Sequence, residues 1–400
     1  MRISTAHFFE SGKQNMHARQ ADLMRVQNQL GSGKRLLSAA DDPAATQRLI
    51  GVDEALSRLG QFERNANAAS ARLSIQDSLL TSASTTLQRV RDLVLQGRSG
   101  TLSNADRRFV ATEVRARLEE LVQIANGTDA NGDYLFAGHS GNQAPFILSP
   151  GGAVAFVGDQ GVRELPISDE RRIADADSGF RVFQDIRGGN GRFSLLASSA
   201  NAGTGVVDAG EVTDPGLWNG RSLDVVFTAP GTLDVIDVAT GTPVATGLAF
   251  SSGTALDVAG VRLRITGDPL TGDRFEIRPS QATPVFDTLR RTAEALEAGF
   301  SDPASQAAFN NAMNRNLLDL DHAIEKALEV QTSVGARLNA IDTQQGINED
   351  VRLQLETSRS GLEDLDYVEA SIRLNQQMVA LQAAQQAFVR TSGLNLFALL

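Results

Sequence analysis

The chain has 400 residues, contains no cysteine and carries a formal net charge of −11 at pH 7. This length is sufficient for two or three domains with hydrophobic cores, and the lack of cysteine excludes disulfide bonds, thiolate metal sites and cysteine nucleophiles. The acidic balance argues against a nucleic-acid-binding protein, as does the restriction of lysine to Lys13, Lys34 and Lys326.

No stretch of the chain reaches the roughly 18 consecutive apolar residues that are needed to span a bilayer. Residues 1–13 lack the basic segment followed by an apolar core that is typical of a cleaved secretory signal. These features predict either a cytoplasmic protein or one that is exported by a route reading an uncleaved N-terminus.

Glycine and proline divide the chain into two helical flanks and a β-rich middle. Nine of the eleven prolines and 20 of the 36 glycines lie between Pro145 and Pro284, and both residue types punctuate strands and turns. The flanks are rich in Ala, Leu, Gln, Arg and Glu, which are good helix formers. The predicted fold class is a multidomain α+β protein, in which both flanks form a long antiparallel, coiled-coil-like helical bundle with an inserted all-β domain.

The first flank begins with a short amphipathic stripe, formed by Leu23, Val26 and Leu30 and interrupted at Gly31 and Gly33. We expect this stripe, like the other end of the chain, to be buried by partner subunits.

A long helix follows, starting after Asp42, which is a good N-cap, with Pro43 in the first helical position. A heptad repeat over Val52–Val94 is apolar at every a and d position except Gln76. A 3.5-residue repeat of this extent indicates a helix that packs along its length on other helices, roughly 80 Å long at 1.5 Å per residue. Gly97 marks its end.

A second helix is predicted next, with Ser103 and Asp106 in the spacing of a capping box and a turn-forming run at Gly127–Gly132. The C-terminal flank mirrors this order, with a short helix over Val285–Ala298 and a much longer one after Pro303. Since neither long helix can bury its apolar stripe alone, we expect the two to pack antiparallel. The predicted bundle core comprises Val52, Leu59, Phe62, Leu73, Leu80, Leu87, Leu317, Ile324, Leu338 and Ile341.

The middle region contains four strand candidates, Leu223–Phe227, Leu233–Val238, Val258–Ile265 and Arg274–Ile277. Glycine-containing turns separate them at short intervals, as in a sandwich or barrel-like domain. Because this domain is inserted between helical flanks, its two ends should lie close together. Trp218 is predicted to anchor its core.

The last 40 residues predict a helix that is apolar on two sides. One stripe includes Val368 and Ile372, and the other includes Leu381 and Phe388. Such a helix needs more than one neighbour, and the apolar end Leu394–Leu400 would be a liability in water. We therefore expect partner subunits to bury both chain ends; the alternative is docking on the chain's own bundle. The predicted assembly interface comprises Leu23, Val26, Leu30, Leu365, Val368, Ile372, Met378, Val379, Leu381, Phe388, Leu396 and Phe397.

No motif predicts catalysis, a cofactor or a metal site. The run Gly31–Lys34 lacks the spacing and the preceding strand of a phosphate-binding loop, so we interpret it as a flexible break between helices. Residues 129–133 lack the glycine and the glutamate of a calcium loop. His322 has Glu325 three residues on but no second histidine at helical spacing. We predict a protein that is not an enzyme.

These elements predict three parts. Residues 1–45 and 360–400 form a terminal helical region used in assembly. Residues 46–144 and 284–359 form the long helical bundle, and residues 145–283 form the inserted β-rich domain.

Several short blocks resemble the flagellar hook-associated protein 3 (FlgL) family, within the flagellin-like superfamily. The blocks are Met1–Thr5, Gly31–Leu36, Asp41–Ala45, Asn131–Gly138, Val334–Asn339 and Leu362–Asp366. Individually they are modest, but together they are specific, and the region they cover is the two flanks. Asn131–Gly138 is more similar to the junction family than to flagellin.

The resemblance implies a structural subunit of the bacterial flagellum that forms the ring joining the hook to the filament. It implies that the terminal helices line the inner tube, that the long helices form the next shell, and that the inserted domain faces outward. The implied partners are further copies of the chain, neighbouring hook-associated proteins, flagellin and an export chaperone, with no nucleic acid and no membrane. The implied location is extracellular, after export through the flagellar type III apparatus.

Three alternatives remain open at this point. The nearest is flagellin, the filament subunit, which carries a related version of the Asp41–Ala45 block, usually without the proline. A cytoplasmic coiled-coil adaptor fits the β insert and the apolar C-terminus poorly. A glycan-active enzyme would need a recognisable pair of converging carboxylates, and the acidic residues of the middle region are scattered.

Overall fold

The computed structural model describes residues 5–392 and confirms the predicted fold class, with helical flanks around antiparallel sheets. The helices are α1 (Thr5–Ser32), α2 (Pro43–Gly97), α3 (Asn104–Ala125), α4 (Pro215–Trp218), α5 (Val285–Ala298), α6 (Pro303–Glu363) and α7 (Tyr367–Ser392). The strands are β1 (Phe146–Leu148), β2 (Val154–Phe156), β3 (Glu164–Pro166), β4 (Arg172–Ala174), β5 (Phe193–Ala197), β6 (Val206–Val207), β7 (Glu211–Val212), β8 (Leu223–Ala229), β9 (Thr232–Asp237), β10 (Pro243–Ala249), β11 (Ala255–Val258), β12 (Val261–Thr266) and β13 (Arg274–Pro279).

The described chain forms two compact units. The terminal unit consists of the described residues of Met1–Arg64 and Thr343–Leu400, and the central unit is Asn65–Asp342. Helices α2 and α6 contribute residues to both units. The three-part division at residues 45, 144, 283 and 359 stays a prediction.

In the terminal unit, α2 and α6 run antiparallel. Asp53 pairs with Arg359 at 3.3 Å, and Glu63, further along α2, pairs with Arg352, which is earlier in α6, at 3.5 Å. The predicted start of α2 is confirmed, because the Oδ1 atom of Asp42 accepts a hydrogen bond from the backbone N–H of Ala45 at 3.0 Å.

In the central unit the same two helices again run antiparallel. Gln331 Nε2 donates to Thr81 Oγ1 at 2.9 Å, and Arg91 Nε lies 2.6 Å from Asp321 Oδ1. Helices α3 and α5 pack beside them, and one hydrophobic core joins all four helices to the segment that carries β1–β4. The predicted capping box of α3 is present: Asp106 N donates to the Oγ atom of Ser103, and the Asp106 carboxylate accepts from the Ser103 N–H.

The predicted core residues occupy different depths. Four are fully buried in the central unit: Leu73, Leu80, Leu87 and Ile341. Three are partly buried and pack against the same core: Leu317, Ile324 and Leu338. Three belong to the terminal unit and are half-buried there: Val52, Leu59 and Phe62. Full burial of one leucine contributes about 1.5–3 kcal/mol relative to exposure. The predicted core residues of the central unit therefore contribute more to stability than those of the terminal unit.

Strands β5–β13 form a sheet domain (residues 193–279) with its own hydrophobic core. One antiparallel sheet has the order β10-β9-β8-β13-β5, and a second has the order β11-β12-β6 with β7 also paired to β12. The prediction that Trp218 anchors this core is confirmed: it is buried, its ring lies 5.7 Å from that of Phe193, and its Nε1 donates to the Arg221 carbonyl at 3.0 Å.

The prediction of a single strand over Val258–Ile265 is wrong, because the chain reverses within it. Strands β11 and β12 form a hairpin in which Val258 pairs directly with Val261. The two turn residues, Ala259 and Gly260, have φ values of 50° and 79°, as in the two-residue turns that match strand twist. A Cβ atom on Gly260 would lie 2.3 Å from the Asp214 carbonyl oxygen, so glycine is required there. The apolar alternation changes phase across these two residues, because Leu256 and Val258 precede the turn and Val261 and Leu263 follow it.

Candidate assembly interface

Helices α1 and α7 pack antiparallel in the terminal unit. Near the start of α1, the ring of Phe9 meets that of Phe388 edge to face, with centroids 5.8 Å apart. Gly12 makes room for this pair, since a Cβ atom there would lie 2.9 Å from Phe388 Cδ2. Further along α1, Val26 is buried. One apolar face of each terminal helix is therefore covered within the chain.

Helix α7 has a second apolar face that the chain leaves open. Ala370 is buried and Leu381 is half-covered on the side that packs within the chain. Val368, Ile372 and Val379 remain 72%, 53% and 65% exposed. At 3.6 residues per turn these three lie on the opposite side of the helix. We call this set the outer stripe.

The predicted interface residues thus divide by their surroundings, and their assembly role stays a prediction. Those that are buried or half-buried within the chain are Leu23, Val26, Leu30, Leu365, Leu381 and Phe388. Those that are exposed are Val368, Ile372, Met378 and Val379. Leu396 and Phe397 lie outside the described residues.

The turn after α1 and the turn before α7 bind each other, a contact that the sequence analysis missed. Arg35 N donates to the Glu363 carbonyl at 2.7 Å, and Leu365 N donates to the Gly33 carbonyl at 3.0 Å. The Lys34 ammonium also contacts the Glu363 carboxylate. We call this arrangement of residues 33–35 and 362–365 the clasp. It joins two of the blocks by which the chain resembles its family, Gly31–Leu36 and Leu362–Asp366.

The clasp continues into a hydrogen-bonded turn that leads to α2. Asp41 Oδ2 accepts from the backbone N–H groups of Ser38 at 2.9 Å and Leu37 at 3.1 Å. These bonds, that from Ser38 first, hold the pKa of the Asp41 carboxyl below its ordinary value. The predicted break between helices is present and begins at Gly33, which has a φ of 70°, since Gly31 and Ser32 still belong to α1. The flexibility of this break stays a prediction.

We expect the substitution Glu363→Lys to loosen the clasp, because it places a second cation beside Lys34 and leaves Arg359 with Asp53 in place of two carboxylate partners. An exposed ion pair contributes about 0.2–1 kcal/mol, so amide hydrogen exchange at Arg35 and Leu365 should accelerate several-fold. The control Glu349→Lys breaks another ion pair of α6, with Arg352, and should leave those two amides unchanged. Equal exchange rates in the two variants would contradict this role for Glu363.

Within residues 5–392, no group of three histidine, aspartate or glutamate side chains is arranged to hold a metal ion. No helix in the same range is both long and apolar enough to cross a membrane.

The chain is similar to flagellar proteins in sequence. The family model described as the bacterial flagellin N-terminal helical region matches residues 3–140. Flagellar hook-associated protein 3 of Escherichia coli (strain K12) is 24% identical over 399 residues, which is 100% of this chain and 99% of that protein.

Solved structures agree with these sequence matches. The flagellar junction protein FlgL from Legionella pneumophila is 26% identical with a TM-score of 0.70, covering 79% of this chain and 100% of that one. Xanthomonas campestris FlgL is 35% identical with a TM-score of 0.73, covering 77% of this chain and 99% of that one. With that identity over nearly the whole Xanthomonas chain, this protein belongs to the flagellar hook-associated protein 3 (FlgL) family.

Proposed function

We propose that this chain is a structural subunit of the bacterial flagellum that forms the junction between hook and filament by self-assembly through its terminal helices. The observation that carries the proposal is the outer stripe of α7, which lies opposite the face that packs on α1. A helix with two apolar faces and one partner in its own chain requires a second partner. Membership of the hook-associated protein 3 family supports the assignment of that partner to the flagellum.

Assembly on this surface is driven by apolar burial. Moving an exposed Val or Ile side chain out of water contributes about 1.5–3 kcal/mol. Part of this gain offsets the entropy lost on association. The outer stripe therefore supplies a favourable contribution of this kind in each subunit whose α7 packs against a neighbouring subunit.

The alternative is flagellin, the filament subunit, and the observation that favours it is the match to the flagellin N-terminal helical region. That match covers residues 3–140, whereas the similarity to hook-associated protein 3 extends over the whole chain, sheet domain included. The full-length similarity favours the junction. Growth of long filaments from purified protein on added seeds would favour flagellin instead.

The proposed partners follow from the same role. They are further copies of the chain, the neighbouring hook-associated proteins and flagellin, together with an export chaperone that covers the apolar terminal helices before assembly. The proposed location is the extracellular flagellum. The role requires no catalysis, because its mechanism is packing between subunits.

Deletion of the gene tests the proposal. We expect electron micrographs of the deletion strain to show bare hooks and its culture fluid to contain shed flagellin, since filament subunits would be exported without a junction to hold them. Bare hooks without shed flagellin would identify the chain as flagellin. Intact flagella would contradict both assignments, provided that the strain holds no second copy of the gene, and restoring the gene on a plasmid is the control.

A further inference from the structure

The sheet domain is joined to the helical part of the central unit by a narrow neck (residues 186–189 and 280–283). Its two strands of chain hydrogen-bond to each other, with Gly188 N donating to the Gln281 carbonyl at 3.1 Å and Thr283 N to the Ile186 carbonyl at 2.8 Å. The hydrophobic core of the sheet domain is separate from that of the helices. The sheet domain is therefore joined to the helices by two segments of chain, and its core is separate from theirs. Its orientation relative to the helices must be set by further contacts.

The first of these contacts covers an open strand edge. Strand β6 is at the edge of its sheet and pairs only with β12. On its other side, Val207 N donates to Asn311 Oδ1 at 2.9 Å, and Asn311 Nδ2 donates to the Gly205 carbonyl at 2.9 Å. Asn314 Nδ2 donates to the Val207 carbonyl at 3.3 Å. The side-chain amides of α6 thus take the place of a neighbouring strand.

The second contact holds the neck itself. Gly189 N donates to Asp319 Oδ1 at 2.9 Å, and His322 Nε2 lies 3.1 Å from the Gly189 carbonyl oxygen. Asp319 is fixed in turn by Arg291, whose guanidinium donates to Oδ2 at 3.0 Å. One residue of the neck is therefore bound through both of its backbone polar groups by side chains of α6.

These four side chains lie along one side of α6. Their spacings of three, five and three residues keep them within one broad face of a helix with 3.6 residues per turn. Hydrogen bonds depend strongly on direction, whereas apolar burial does not. A domain attached in this way is oriented by a small number of replaceable polar groups.

We propose that Asn311, Asn314, Asp319 and His322 are positioning residues, a polar ladder that sets the orientation of the sheet domain on α6. Loss of the ladder frees the sheet domain to pivot about the neck while both hydrophobic cores stay folded. The proposal concerns the geometry of the single chain and stands independently of the junction function.

Pulsed electron paramagnetic resonance between two spin labels tests this. Because the chain contains no cysteine, Thr246→Cys in β10 and Ala336→Cys in α6 can be labelled selectively, and both positions are exposed. We expect a single narrow distance peak in this parent. The triple variant Asn311→Ala, Asn314→Ala and His322→Ala should lose that peak to a broad or shifted distribution. Asp319 is left in place because it also binds Arg291.

The matched control removes polar side chains of α6 for which the structure shows no contact with the sheet domain, by Gln306→Ala and Thr332→Ala, and should keep the narrow peak. Fluorescence of Trp218, the only tryptophan of the chain, reports whether the sheet domain is folded. If the Trp218 emission indicates that the triple variant is unfolded, the distance distribution is measured for the single variant Asn311→Ala, which should also be broader or shifted relative to the parent. A narrow, unshifted peak in the variant that lacks three of the four ladder side chains, or a broad peak in the parent, would overturn the proposal.

Discussion

A chain truncated after residue 360 should fold its central unit and yet fail to enter flagella. The truncation removes α7, with the outer stripe, and the half of the clasp that binds residues 33–35. The central unit keeps all of its own packing, because it consists of Asn65–Asp342. Trp218 fluorescence and circular dichroism should show a folded, soluble protein, and a deletion strain that produces it should remain non-motile with bare hooks.

A charge placed on the outer stripe should have the same effect without shortening the chain. The triple variant Val368→Glu, Ile372→Glu and Val379→Glu changes exposed side chains, so the free energy of unfolding should stay within about 0.5 kcal/mol per site. Assembly would require burying three carboxylates, which is prohibitive without cationic partners.

The matched control adds the same three charges to exposed glutamines of α7, by Gln376→Glu, Gln382→Glu and Gln385→Glu, and should restore motility. Restoration by the stripe variant, or by the truncated chain, would show that the outer stripe is not an assembly surface.

The substitution Arg72→Met should cost about 3–5 kcal/mol of stability, because it leaves the buried carboxylate of Asp129 without its cation, while Asp175 keeps its ion pair with Arg163. The Arg72 guanidinium contacts Asp129 and lies 3.3 Å from Asp175 Oδ2. The side chains of these aspartates are only 5% and 1% exposed. Methionine is similar in size to the aliphatic part of the arginine side chain, so it keeps the packing of that part while it removes the guanidinium charge.

The penalty should depend on pH in a defined direction. Burial raises the pKa of Asp129, but hydrogen bonds from the backbone N–H groups of Asn131 and Asp133 and the nearby Arg72 together hold it below its ordinary value. A carboxyl whose pKa is lowered by folding stabilises the protein above its unfolded pKa, about 3.9 for aspartate, and loses that contribution as the pH falls through the folded pKa. The difference between variant and parent should therefore be full at pH 7 and shrink below about pH 4.

Urea unfolding at pH 7 and below about pH 4 measures the difference in the free energy of unfolding between Arg72→Met and the parent. The substitution Arg89→Met on the same helix is the control. Arg89 pairs with Glu113 at the surface, so its loss should cost less than about 1 kcal/mol at either pH. A loss of similar size in both variants would contradict the assignment of Arg72 to a buried network.

The role of Gln76, the one polar residue in the heptad repeat of α2, depends on a contact that the sequence does not predict. Gln76 interrupts an otherwise apolar seam, and nothing near it in the chain explains why. In the structure its Nε2 donates to Asp177 Oδ2 at 2.8 Å, and its Oε1 accepts from Asp177 N at 3.2 Å. Arg337 of α6 contacts the same carboxylate. The amide thus belongs to a buried polar network, and its partner lies 101 residues away in the chain.

The sequence by itself determined those features that depend on neighbours within about one helical turn. The N-cap at Asp42, the capping box at Ser103 and the helix over Val285–Ala298 were all predictable, because capping and 3.6-residue periodicity are local. The two-sided apolarity of the last helix was readable for the same reason.

Only the tertiary structure decided which face of α7 is covered within the chain. It also showed that the two family-like blocks at Gly31–Leu36 and Leu362–Asp366 form a clasp, and that polar side chains of α6 contact the sheet domain. It also revealed the hairpin inside Val258–Ile265. Each of these depends on which segments meet after the chain has folded back on itself, and in the clasp and the ladder the partners are about a hundred residues apart or more. Helical periodicity indicates that an apolar face needs a partner, but which segment becomes that partner depends on topology and packing.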